Sequence, residues 1–334
     1  MLHLSTFSLS YSVAQSHTSC FCFTKTRILG TASHSNVRSQ KSELNIGLAR
    51  SRRPDSIVIM SIPAWASKAR SMKDYENDEA QKVINIFERL LTKDLAPEQA
   101  AADINTVLEP VMRTNRSDLR IISPFLILSN AVRELGSDRE VSGRLVSLLE
   151  SLRMIQAKDE SGNDLSYEWG GKLWTDLPTF GATFRDYGGI DLDYKSLEDG
   201  IKLSEWFAQK TRLLNATSFA ATALVSAQSM SGMAFYIPAC MEDALGPPDD
   251  SLEPRFNAAM YIPAVSAWIS IAGNHIFNLC RESKTHGFSM DNWELWKKKL
   301  GDVALDDSIG DEEREIALKV KDEMTRIQTE SGNT

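Results

Sequence analysis

Residues 82–91 carry the sequence KVINIFERLL, and the spacing of its apolar residues indicates the fold class. Four apolar residues recur at positions i, i+4, i+7 and i+8, namely Val83, Phe87, Leu90 and Leu91. Lys82, Glu88 and Arg89 fall on other faces of such a helix. This period predicts an amphipathic α-helix that buries one face.

The same helical spacing recurs outward from this stretch in both directions. It extends over residues 104–111, 123–135, 141–155, 293–300 and 316–327. Ser137–Glu140 resembles a capping box that begins one of these helices. Because no segment alternates with the period of two that marks a strand, we predict an all-α fold. The prediction is a single large domain of about nine helices over residues 71–330.

The first 59 residues differ in composition from the remainder. They contain 7 basic and 2 acidic residues, against 30 basic and 43 acidic residues afterwards, so the net charge is +5 before residue 60 and −13 beyond it. Twelve serines and no clear apolar periodicity predict a disordered leader over residues 1–70. Two explanations stay open for it. One is an overlong gene model with the true start at Met60, and the other is a mitochondrial transit peptide.

The charge and the residue stock exclude several function classes. The residues beyond 59 carry a net charge of −13. This charge repels the phosphate backbone of a nucleic acid, so we expect no nucleic-acid partner. Beyond residue 59 the chain has two cysteines, Cys240 and Cys280, and two histidines, His275 and His286. These are too few for a cysteine-rich zinc site. No G-x-G-x-x-G, G-x-S-x-G or H-E-x-x-H motif occurs. We therefore expect no cofactor and no metal.

Two long segments, residues 213–241 and 256–280, contain no Asp, Glu, Lys or Arg. Segments of this length suggest either a transmembrane hairpin or two helices buried inside a large domain. Asn215, Gln228, Asn274 and other polar residues interrupt them, and each would need an internal partner in lipid. We therefore predict a buried pair and no membrane span.

Three segments carry a family resemblance: LWTDLPTF at residues 173–180, residues 215–221, and residues 260–273. They resemble a fungal family of helical proteins catalogued as domain of unknown function 3632. The matching positions are Trp174, Asp176, Pro178, Phe180, Pro263, Ala264, Trp268, Ala272 and Gly273. The resemblance covers residues 75–285 and implies an all-helical, soluble fold. It implies no activity, cofactor or catalytic residue.

The residues in and around these segments have two interpretations. As structure, Trp174 and Phe180 anchor the central loop, Asp176 caps the helix after Pro178, and Trp268 fills the core. As function, one apolar pocket with a few polar groups would be lined by Trp174, Asn215, Tyr261, Trp268 and His275. A separate local cluster could supply metal ligands or a nucleophile, and it consists of His275, Cys280, Glu282 and His286. We favour the structural interpretation in both cases, and for the second cluster it means that His275 ends a buried helix with its ring hydrogen-bonded and that Cys280 serves as a small apolar residue.

The function expected from these observations is a non-enzymatic helical module that presents an acidic surface to a protein partner. The alternative is a small-molecule-binding protein or enzyme with a pocket beside the uncharged segments 213–241 and 256–280. We expect a cytoplasmic protein, or a mitochondrial one if residues 1–59 are translated and act as a transit peptide.

Overall fold

A computed structural model describes residues 60–114, 118–159, 161–166, 171–177, 179–190, 203–246, 254–283 and 287–332. Within these ranges the chain forms eleven α-helices, three short 3₁₀ helices and no strand, which confirms the all-α prediction. Residues 1–59, where the sequence predicts a leader, lie outside the described ranges. The helices are α1 Ile62–Arg70, α2 Asp78–Leu91, α3 Pro97–Thr114, α4 Ser123–Leu135, α5 Arg139–Arg153, α6 Phe180–Tyr187, α7 Leu203–Ser226, α8 Tyr236–Leu245, α9 Pro254–Glu282, α10 Met290–Leu305 and α11 Asp311–Gly332.

The helical unit begins before residue 71, the boundary expected from the sequence. Helix α1, Ile62–Arg70, packs on α2 and α4. Trp65 on α1 is fully buried, and its indole Nε1 donates a hydrogen bond to Asn130 Oδ1 on α4 at 2.9 Å. Helix α1 is short and has a single large apolar residue, so its sequence has weak apolar periodicity. For this reason it was not predicted beside the change in composition at residue 60.

Helices α4 and α5 are joined by a tight turn at Gly136. Gly136 ends α4, and its carbonyl accepts a hydrogen bond from Ser142 Oγ at 2.7 Å. Asp138 caps α5, because its carboxylate accepts from the backbone N–H groups of Glu140 and Val141. The N-cap is therefore Asp138 instead of Ser137, and because Val141 stands three residues later the expected capping box does not form.

Helices α7 and α9 form the centre of the fold. Helix α7 packs on α4 and α5 on one side and on α9 on the other, and α9 also packs on α8 and α11. Every residue from 215 to 224 is buried, so this part of α7 is covered all round. Among the described residues, none of the helices combines the length and apolar character needed to cross a bilayer. An uncharged helix in this position buries its whole circumference against other helices.

The segment 213–241 is divided between two helices. Helix α7 ends at Ser226, and a 3₁₀ helix, Gln228–Phe235, leads into α8. Met230 has non-helical dihedral angles within this 3₁₀ helix. The break turns the chain, so the second half of the uncharged segment leaves the direction of α7.

The two C-terminal helices form a hairpin against α9. Trp293 on α10 is buried and packs edge-on against Phe277 of α9, with ring centroids 5.1 Å apart. Helix α11 approaches α9 so closely that a Cβ added at Gly273 would lie 2.6 Å from Ile327 Cδ1. The glycine in the family-like segment 260–273 therefore permits close helix packing.

Candidate functional site

Trp174 and Phe180 belong to a chain of buried aromatic rings. Trp174 packs edge-on against Phe125, with centroids 6.2 Å apart, and its Nε1 donates to Asn105 Oδ1 at 2.7 Å. Phe180 lies 5.9 Å from Phe125 and 5.9 Å from Phe184. These contacts attach the segment around residue 174 to α3, α4 and α6. They match the anchoring role expected from the sequence.

Asp176 differs from its expected role. The N-cap of α6 is Thr179, which makes no side-chain capping hydrogen bond. Asp176 is exposed, and its Oδ2 accepts from the backbone N–H of Lys172 at 2.7 Å. The carboxylate thus closes the turn 172–176 instead of capping the next helix. Pro178, between the two, lies outside the described residues.

Asn215 connects α7 to the α4–α5 turn through both ends of its side-chain amide. Its Oδ1 accepts from the Ser137 N–H at 3.1 Å, and its Nδ2 donates to the Arg133 carbonyl at 2.9 Å. A Cβ added at Gly136 would lie 2.5 Å from the Asn215 carbonyl oxygen. The amide of this buried residue is therefore committed to protein partners.

The three remaining candidates lie along α9 in different environments. Trp268 is fully buried and hydrogen-bonds the thiol of Cys240 on α8. Tyr261 is half-buried at the core margin, whereas His275 is exposed. His275 was expected at the end of a buried helix. It lies inside α9, on the face that also exposes Asn274 and Asn278.

Three of the residues proposed for a pocket use their polar groups to bind other parts of the protein. The Trp174, Asn215 and Trp268 side chains each have a protein partner. Asp176 and His275 face outward. The seven candidates divide into core anchors and surface residues.

The cluster around Cys280 is only partly described, because His286 lies outside the described residues. Cys280 itself is fully buried, and burial raises the pKa of its thiol to about 11. A thiol held in this protonated form is a poor nucleophile and a poor metal ligand. Across the part of the chain that the structure describes, no group of three or more His, Cys, Asp and Glu side chains could hold a metal ion.

An exposed uncharged surface follows the end of α7. Phe235 is 66% exposed and Val225 is 45% exposed. Ser226, Gln228, Ser229, Ser231, Gly232 and Ala239 are also exposed. Met154 is 83% exposed at the end of α5. We call Met154, Val225, Ser229, Phe235 and Ala239 the Phe235 surface.

The contacts between α5 and the residues after α7 bring Met154, Val225 and Ser229 to the same end of these two helices. Helices α5 and α7 run side by side, since Ser137 contacts Asn215 at one end and Glu150 contacts Ser229 at the other. Met154 follows Glu150 by one helical turn, and Val225 lies in the last turn of α7, four residues before Ser229. The sequence marked residues 213–241 only as uncharged. It contained no signal that separates the buried residues from the exposed ones.

The fold defined by these contacts is an all-helical domain with its polar groups largely committed to packing. A family model described as "Protein of unknown function (DUF3632)" matches residues 126–300, just over half of the 334-residue chain. The chain therefore belongs to this family, as the segments 173–180, 215–221 and 260–273 predicted. The match extends from α4 to α10. No curated protein and no solved structure is significantly similar to the chain.

Proposed function

We propose that this protein is a non-enzymatic helical module that binds another protein through the Phe235 surface. The observation that carries the proposal is the two-thirds exposure of Phe235 within a run that exposes no charge from residue 225 to residue 239. Depletion of charge together with exposed Phe and Met is typical of the centre of a protein interface. Phe235 would act as the anchor.

The charges around the Phe235 surface define the partner. Along α8 the exposed residues Phe235, Ala239, Glu242 and Asp243 follow at i, i+4, i+7 and i+8, so one stripe is apolar at its start and acidic at its end. Glu150 adds a carboxylate beside Ser229. The partner is accordingly an amphipathic helix with apolar anchors and basic residues flanking them.

The raised pKa values of the two buried thiols, Cys240 and Cys280, support a role without catalysis. Burial, together with the neighbouring Asp243, raises the pKa of Cys240 to about 12, although the Trp268 hydrogen bond opposes the shift. Burial also raises the pKa of Cys280, as described above. Neither thiol is suited to nucleophilic catalysis.

The test is site-specific photo-crosslinking in intact cells at native abundance. A photoreactive residue replaces Phe235, and the matched control replaces Leu305, which is 82% exposed at the end of α10. We expect one reproducible protein adduct at position 235 that is absent at position 305. Phe235→Asp should abolish this adduct when the photoreactive residue is moved to position 239, whereas Leu305→Asp should leave it intact. Identical adducts at 235 and 305, or none at 235, would overturn the proposal.

We also propose a cytoplasmic location, with the mitochondrion as the alternative if residues 1–59 act as a transit peptide. The Ser-rich, acid-poor composition of residues 1–59 supports the alternative, and the lack of an early basic helix argues against it. A fluorescent protein fused to the C-terminus of the full chain distinguishes the two. Signal confined to mitochondria would exclude the cytoplasmic location.

A further inference from the structure

Two arginines from different helices meet at Gly189, two residues after α6. A Cβ added at Gly189 would lie 3.2 Å from Arg212 Cβ on α7 and 3.6 Å from Arg133 Cγ on α4. Gly189 has a φ of +89°, in the left-handed region that favours glycine. The backbone conformation favours glycine at this position, and a Cβ there would crowd Arg212. The two arginine side chains consequently begin on either side of one glycine.

The cluster holds more positive than negative charge. Glu134 Oε1 lies 3.7 Å from Arg133 Nε, and the same oxygen accepts a hydrogen bond from Lys68 Nζ at 3.0 Å. Within the part of the chain that the structure describes, no carboxylate pairs with Arg212. Among the described residues, Lys68 and Arg133 therefore share the carboxylate of Glu134, and Arg212 adds a third positive charge.

Arg133 lacks an acceptor that its position requires. Its side chain is only 25% exposed, and its Nε is buried without a hydrogen-bond partner. Burial lowers the pKa of Arg133, the positive charge of Arg212 lowers it further, and Glu134 and Tyr75 oppose the shift. A buried N–H without a partner destabilises the folded state, and so does the repulsion between two guanidinium groups.

We propose that Arg133 and Arg212 form a binding site for the phosphate group of a small molecule. A bound phosphate oxygen would supply the acceptor that Arg133 Nε lacks. A planar guanidinium group can donate two parallel hydrogen bonds to two oxygens of one phosphate group. Lys68, Arg133, Arg212 and Glu134 together carry a formal charge of +2, which matches the charge of a phosphate monoester, about −1.5 to −2 at pH 7.

This site is separate from the Phe235 surface. It is built from Arg133 on α4, Arg212 in the middle of α7 and Gly189 after α6, whereas the Phe235 surface is built from the ends of α5 and α7, the 3₁₀ helix and α8. Either proposal can fail while the other holds.

The experiment measures thermal unfolding of the full chain in sodium phosphate, in adenosine monophosphate and in sodium chloride at equal ionic strength. We expect a saturable rise in Tm with millimolar phosphate that chloride does not reproduce. Half-saturation at a concentration at least about tenfold lower with adenosine monophosphate than with inorganic phosphate would identify an organic phosphate ester as the ligand. Equal potency would identify free phosphate.

The decisive variant is Arg212→Gln, with Arg89→Gln as its control, because Arg89 is an exposed arginine on α2. Arg212→Gln should abolish the response to phosphate. Its Tm without ligand should equal or exceed that of the wild type, since repulsion on Arg133 is relieved. Arg89→Gln should keep the full response. A purely structural Arg212 would instead lower the ligand-free Tm on substitution. Three results would overturn the proposal. They are a lower ligand-free Tm for Arg212→Gln, a wild type without a saturable rise in Tm, and an Arg212→Gln variant that retains this rise.

Discussion

The two halves of one uncharged segment have opposite environments in this protein. Residues 215–224 of α7 are buried without exception, whereas residues 225–239 alternate between buried and exposed positions that include Phe235. The two halves are similar in composition, since both lack charge and are rich in Ala and in Ser or Thr, with one aromatic ring in the first half and two in the second. The absence of charge therefore does not distinguish a core helix from an interaction surface.

The physical difference between the halves is the number of helices that cover them. Helix α7 is enclosed by α4, α5 and α9, while the 3₁₀ helix packs mainly on α7 and α8. Helix α7 ends at Ser226, and the residues that follow it are no longer surrounded by α4, α5 and α9. The predictions below test this difference, beginning with the largest expected effect.

Replacing Phe219 in the buried half should destabilise the fold strongly. Phe219 is fully buried and lies 5.3 Å from Phe184, ring centroid to ring centroid. Phe219→Ala leaves a cavity and should lower the free energy of unfolding by about 3–5 kcal/mol, measured by urea denaturation. A loss below about 1 kcal/mol would mean that α7 is less enclosed than the contacts indicate.

The buried residues at the end of the second half should be as protected from chemical modification as those of the first half. Cys240 follows the exposed Ala239 and is buried. Its pKa of about 12 and that of Cys280, about 11, imply at least about 100-fold less thiolate at pH 8 than in the unfolded chain. Alkylation by iodoacetamide, followed by peptide mass spectrometry, should modify both thiols only in denaturant. Rapid alkylation of native Cys240 would contradict its burial.

The same shifts determine the sign of the pH dependence. The unfolded thiols ionise above about pH 8.5 while the folded thiols keep their protons. Unfolding therefore releases protons at alkaline pH, and the stability should fall as the pH rises from about 9 toward 12. Tyr75, whose pKa burial raises to about 12, contributes in the same direction above pH 10.

Removing the Asn215 amide should have an intermediate effect. Asn215→Ala leaves the Ser137 N–H and the Arg133 carbonyl without their partner, which should lower the free energy of unfolding by about 1–3 kcal/mol. Asn274→Ala, an exposed change on α9, is the matched control and should stay within about 0.5 kcal/mol of the wild type. Equal effects of the two changes would show that the Asn215 hydrogen bonds contribute nothing to stability.

The smallest effect on stability is expected for the exposed aromatic ring. Phe235→Ala removes a side chain that is 66% exposed, so the free energy of unfolding should change by no more than about 0.5 kcal/mol. Urea denaturation beside Phe219→Ala provides the direct comparison of one residue type in two halves of one segment. A loss above about 2 kcal/mol would assign Phe235 to the core.

The sequence predicted the helices with a strong apolar period and missed those without one. Helices α2, α4 and α5 were expected from their spacing, as was the end of α4 at Gly136. Helix α1 was missed because Trp65 is its single large anchor, and α8 was expected as a continuation of α7. Uncharged residues are compatible with both a helix and a break, so composition could not locate Met230.

The candidate site was less predictable than the fold. The role of Trp174 as an anchor follows from its residue type, because a buried indole needs only a hydrogen-bond acceptor and apolar neighbours. The exposure of His275 depends on which face of α9 the other helices cover. The approach of Arg133 to Arg212 joins residues 79 positions apart, and neither has a sequence pattern of its own.

By itself the sequence determined the all-α class, the family and the pairing of two uncharged helices. These properties depend on local periodicity and composition, which each segment carries independently of its neighbours. The tertiary structure alone decided which uncharged residues are buried, where Asp176 and His275 point, and that two arginines meet at Gly189. Burial is a property of the surface that other helices remove from water, so it is defined only when those helices are in place.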